Sequence, residues 1–191
     1  VFLKMKNASS TSRGSALLEV LVTIVILSFG LLGVAGLQAR IYVMEFESYQ
    51  RAQAVVILND IAERVASNPD AAAAYAAASP LGGGALADCS ALTDAARDAC
   101  ETGNLLRGSG ERQGTTGVGA MDKAQACITA FTATSTKAFN RCQTGLQIDI
   151  VWRGRSPTIV PAAACGAMSY GANDAYRRAI STRVATGDAG C

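Results

Sequence analysis

Histidine is absent from all 191 residues, and with it go the Ser-His and Cys-His nucleophile arrangements, which need an imidazole as base. No CxxC pair occurs among the six cysteines, so neither a zinc site nor a haem attachment is expected. Three glycines stand together at 82–84, but no GK[ST] follows them and no strand pattern precedes them, so they make no phosphate cradle. Carboxylates are scattered singly, apart from Glu45 and Glu47, which a helix points to different faces. No enzyme, cofactor or metal is therefore expected. Excess charge is scarce too. Lys plus Arg number 17 against 15 Asp plus Glu, and setting aside Lys4, Lys6 and Arg13 leaves 14 against 15. A body so near neutral carries no electrostatic footprint for nucleic acid.

What the chain does have is one long apolar run within residues 13–38, RGSALLEVLVTIVILSFGLLGVAGLQ. The 18 residues 20–37 hold no charge and just reach the length that spans a bilayer. Lys4, Lys6 and Arg13 lie upstream with no acid among them, which keeps the N-terminus in the cytoplasm. Glu19 stands at the mouth of the run, where insertion scales make an acid costly and so in need of a reason. A secretory signal peptide has a shorter apolar core and is cut after it at small residues. A plain anchor whose Glu19 snorkels to the interface is the other simple account.

The order of a basic leader, Gly14, and then Glu19 opening an uncharged run resembles the class III leader of type IV prepilins. LLEVLV at 17–22 is similar to the opening of minor pilins and pseudopilins. Within that group the chain resembles PilV-type minor pilins, strongly through residues 13–38 and more weakly in LQIDIVWRG, AAACG and YRRAISTRV. One departure is Ser15, where the first mature residue is usually Phe or Met.

The resemblance implies an α+β, pilin-like fold, in which a long N-terminal helix, transmembrane and then amphipathic, packs on a small antiparallel sheet with disulfides. It divides the chain into a leader (1–14), the transmembrane half of the helix (15–37), its amphipathic half (38–67) and a periplasmic head (68–191). It also implies insertion in the inner membrane, cleavage by the prepilin peptidase between Gly14 and Ser15, and N-methylation of Ser15. Glu19 would be an assembly residue. The partners would be other minor pilins and the major pilin, in a complex that primes the pilus and joins it at the cell surface, supporting twitching motility and adhesion. A minor pseudopilin of a type II secretion system shares the leader and helix. An uncleaved, membrane-anchored periplasmic binding domain is the alternative from another class.

Cys89, Cys100, Cys127, Cys142, Cys165 and Cys191 all follow the apolar run, and an even count on the exported side reads as disulfides. Fifteen pairings are possible. Short loops close most readily, which favours Cys89 with Cys100, Cys127 with Cys142 and Cys165 with Cys191.

Taken in order, Val1 stands where Met is usual, leaving Met5 as a candidate start. One helix is expected from Ser15 to Ser67, about 80 Å long at 1.5 Å per residue. Its second half lines Ile41, Met44, Ala52, Val55, Leu58, Ala62 and Val65 on one face, and Asn68-Pro69 ends it. Gly30, Gly33 and Gly36 permit close packing of membrane helices, or soften the helix within a filament. A short helix is expected over 70–79, a loop over 80–85, helix over 88–101, a surface loop over 102–119 and a second head helix over 123–141. Leu146, Ile148, Ile150 and Trp152 alternate with polar neighbours as a half-buried strand does. Residues 178–185 form a second strand, with 158–160 as a further candidate. Arg153 with Arg155, and Arg177 with Arg178, are candidates to bind an acid, but ordinary solvated strand ends are the favoured account.

Overall fold

The computed structural model describes residues 13–114, 116–117, 121–134 and 141–190. The chain divides into two compact units, Val1–Glu45 and Phe46–Cys191. Helix α1, Arg13–Ser67, begins in the first and ends in the second.

In the first unit α1 is apolar on every side, and none of its most hydrophobic 18-residue stretch is buried. By length and composition this is a helix able to cross a membrane. In the second unit α1 is one-sided. Ala54, Ile57, Leu58, Ile61 and Val65 are buried along with Gln50, at the three- and four-residue spacing of a single helical face. That face is rotated from the expected one, since Val55 is 42% exposed and Ala52 is also exposed. Burying each of these aliphatic side chains contributes about 1.5–3 kcal/mol, so the face that meets the sheet wins over nominal periodicity.

Pro69 occupies the first turn of a short 3-10 segment, Pro69–Ala71, which leads into helix α2, Ala72–Ala77. Leu81 then pairs with Ala126, exchanging backbone bonds of 2.8 and 3.0 Å. Helix α3 is Asp94–Leu106, starting six residues later and ending five later than the expected 88–101, so it takes up the start of the expected loop 102–119; it turns Ala95, Ala99 and Leu106 inward. Short strands β1, Arg112–Gln113, and β2, Thr116–Gly117, form a small ladder. The main sheet is antiparallel in the order β3, Asp122–Thr134; β4, Arg141–Arg153; and β5, Arg177–Gly190.

Two expectations are corrected here. Residues 123–134 are strand rather than helix, and 135–140 lie outside the described residues. The apolar positions of β3 are Ala124, Ala126 and Ile128, and Ile128 stands opposite Ile148. Small alanines make this period-2 pattern faint, but its inward row fits under α1 and α2. Residues 158–160 belong to no strand; the Thr158 amide donates one backbone bond of 2.7 Å to the Ala175 carbonyl.

Leu146, Ile148, Ile150 and Trp152 of β4 face the helices and are at most 3% exposed. The outer face is partly roofed by the connection from β4 to β5, where Cys165 and Tyr170 pack on Val151.

Candidate functional site

Gly14 and Ser15 fall in the first turn of α1, and their side chains lie outside the described residues. Glu19 follows one turn on, exposed and without a hydrogen-bond or ion-pair partner among the described residues. Around it Leu17, Leu18, Leu21 and Ile24 are all more than half exposed. Among the described residues the first unit is thus a bare apolar helix with one carboxylate near its start. Two of its hydroxyls are satisfied internally: Thr23 Oγ1 donates to the Val20 carbonyl at 2.8 Å, and Ser28 Oγ to the Ile24 carbonyl at 2.7 Å. Such back-bonding lets a polar side chain sit in hydrocarbon without an orphan donor. A Cβ added at Gly30, Gly33 or Gly36 would meet nothing within 4 Å, so no packing inside this chain demands glycine there.

The head is fastened by contacts the sequence did not announce. Glu47, near the start of the second unit, accepts from the backbone amides of Arg155 and Ser156 at 3.0 and 3.1 Å, from the Ser156 hydroxyl at 3.0 Å and from Arg178 at 3.2 Å. Burial alone would raise its pKa. The Ser156 hydroxyl, the two amides and Arg178 together outweigh that and hold it below the ordinary carboxylate value. Arg155 lies over the Phe46 ring at 4.7 Å, and Arg153 over Tyr176 at 5.7 Å.

Arg177 and Arg178 are therefore not solvated strand ends, whereas Arg155 is exposed as expected. Arg177 is 4% exposed and donates to the carbonyls of Pro161, Ala163 and Cys165. Asp174 beside it accepts from the amides of Met168 and Tyr170 at 2.6 and 3.1 Å; the Met168 amide foremost holds its carboxyl below the usual range. The doublet Arg177-Arg178 opening a strand was the signal available for this; its meaning depended on a loop that folds back.

At the other end of the amphipathic face, Arg64 bridges Asp60, Asp98 and Glu101 at 3.0, 2.7 and 3.1 Å. Asp98 also accepts the Tyr75 hydroxyl at 2.5 Å. Burial first, and then Asp98, push the Tyr75 pKa well up. This network ties α1 to α2 and α3.

Cys89 is bonded to Cys100, while Cys127 is bonded to Cys165 and not to Cys142. In the β3–β4 register Cys127 stands opposite Asp149, whereas Cys142 stands opposite Thr134. Seven residue pairs at roughly 3.3 Å each separate the two by about 23 Å, far beyond a disulfide's reach. With Cys165 engaged, its expected bond to Cys191 does not form; Cys191 itself and the Cys142 side chain lie outside the described residues.

No family model, curated protein or solved structure matches this chain. The reading of its role accordingly rests on its residues and their geometry.

Proposed function

We propose that the chain is a minor pilin of the type IV kind, anchored in the inner membrane by the first half of α1 with its head outside. The observation that carries the reading is a helix bare on all sides, opened by a single carboxylate, Glu19, and continuing in sequence into a one-sided face on a disulfide-bonded head. An apolar helix without partners in its own chain finds them in lipid or in identical helices. Glu19 explains the choice. Cleavage after Gly14 frees the amine of Ser15, four residues away and on the same helix turn. In an array of such helices that amine meets the Glu19 carboxylate of a neighbour. Hydrocarbon screens the pair far less than water does, which fixes the axial register of one subunit against the next. Assembly with other minor pilins and the major pilin follows from this contact.

The test is Glu19→Gln at normal protein level. It should insert at least as well as wild type, because a charge leaves the membrane, yet support few pili and recover little partner pilin. Wild-type piliation and partner recovery would leave a plain anchor as the better account. Mass spectrometry of the mature protein should give an N-terminal peptide beginning at Ser15 and one methyl group heavier than its sequence. A leader still attached to the membrane-bound protein would refute processing.

A further inference from the structure

Asp149 lies midway along the central strand β4, on the sheet face turned away from α1, and is only 5% exposed. A carboxylate so withdrawn from water ordinarily holds a cation, because neutral hydrogen bonds do not fully replace its lost hydration. Here the partners are neutral. Ser181 Oγ donates to Oδ1 at 2.5 Å, and Gln147 Nε2 lies 3.2 and 3.3 Å from the two oxygens. Among the described residues no Lys or Arg forms an ion pair with it. Arg183, one step along the same face, instead donates to Gln147 Oε1 at 3.1 Å and lies over the Phe131 ring at 5.1 Å.

The carboxylate borders an open cavity of about 650 Å³ that no Lys or Arg lines. One wall is methyl groups, from Ala162, Ala163, Ala164 and Ala167. The disulfide from Cys165 to Cys127, the direct cross-strand neighbour of Asp149, holds that wall in place. Gln125 and Thr129 complete the polar side. An apolar wall beside an uncompensated acid suits one chemistry. We propose that this cavity binds a primary ammonium on an alkyl stem, with the stem along the alanines and the nitrogen donating to Asp149. An ammonium's three donors turn freely to meet scattered acceptors such as an amide carbonyl and a hydroxyl. A guanidinium prefers both oxygens of one carboxylate, and Asp149 already shares its oxygens with Ser181 and Gln147. The ligand is a lysine side chain of a partner or a free alkyl diamine. The proposal stands apart from the assembly role given to Glu19.

The experiment is an amide-resolved NMR titration of the full ¹⁵N-labelled chain in detergent. Three probes are used: an end-blocked Gly-Lys-Gly peptide, 1,5-diaminopentane, and an end-blocked Gly-norleucine-Gly peptide. The lysine peptide should shift the amides of Asp149 and the alanine wall saturably, and the norleucine peptide should not. Tighter binding of the peptide assigns the site to a partner's lysine, and tighter binding of the diamine to a free amine. Asp149→Asn, which keeps hydrogen-bonding capacity, should weaken binding about tenfold or more. Ala164→Lys, at an exposed wall position, supplies a tethered ammonium and should block the lysine peptide to a similar extent, giving a second reading if the first variant folds poorly. No saturable shift with either amine, equal shifts with norleucine, or undiminished binding in a folded variant would overturn the proposal.

Discussion

Removing the Glu47 carboxylate tests whether α1 is locked to the head by charge as well as by apolar burial. Four donors converge on one oxygen of this side chain: two consecutive backbone amides, the Ser156 hydroxyl and the Arg178 guanidinium. A hydrogen bond to a charged group is worth about 1.5–3 kcal/mol alone. Donors sharing a single acceptor do not add, and 27% of the Glu47 side chain remains exposed, so water takes over part of each bond in the variant. Glu47→Ala should therefore cost about 2–3 kcal/mol, and Glu47→Gln, which keeps an acceptor without charge, about 1 kcal/mol. The sign with pH follows from the lowered pKa. The unfolded chain holds Glu47 near 4.5, so its contribution is fully present above that value and is lost as pH falls through the lower folded one. Urea unfolding of the full chain in detergent, read at pH 7 and again below pH 4.5, measures both. A loss under 0.5 kcal/mol in Glu47→Ala, or an undiminished acid-dependent loss in Glu47→Gln, would refute the argument.

Three further outcomes are expected. Peptide mapping of unreduced protein should recover Cys89 joined to Cys100 and Cys127 joined to Cys165, and, if all six cysteines are oxidised, Cys142 joined to Cys191 by elimination; a Cys127–Cys142 peptide would contradict the register. Gly145→Ala should destabilise by about 2 kcal/mol or more, measured by urea midpoint, because the new Cβ would strike the Val184 carbonyl and the Phe131 ring. Tyr75→Phe removes the 2.5 Å bond to Asp98 while keeping the buried ring, and should cost about 1–2 kcal/mol by the same assay.

The elements that could be read in advance are those whose reasons are local. α1 and the start of its apolar span follow from composition, and β4 from strict alternation of large apolar residues. β3 reads as a helix in the sequence because Cys127, Ile128 and Phe131 fall at helical spacing, while its true inward row is mostly alanine, too small to mark a period. The Cys127–Cys165 bond and the burial of Arg177 depend on where the connection of residues 154–176 folds back, which nothing local encodes. Nothing near Glu47 in sequence marks its role, because its four donors come from residues more than a hundred positions downstream. Glu19 was picked out by its unlikely place in an apolar run. It is exposed in the first unit.

The connection between β4 and β5 has a consequence for how this surface can evolve. Three kinds of fastening hold it: Arg177 on its carbonyls, Asp174 on its amides, and one disulfide. Two of these grip main-chain atoms, which every residue possesses, so the path of the segment depends little on which side chains it carries outward. Ile159, 94% exposed, is a display position in this sense, whereas Met168, 86% exposed, sits at a φ of 67° that restricts what can replace it. A position such as Ile159 can change with little effect on folding, and drift or selection can rewrite what the head shows to its surroundings while the frame beneath stays as it is.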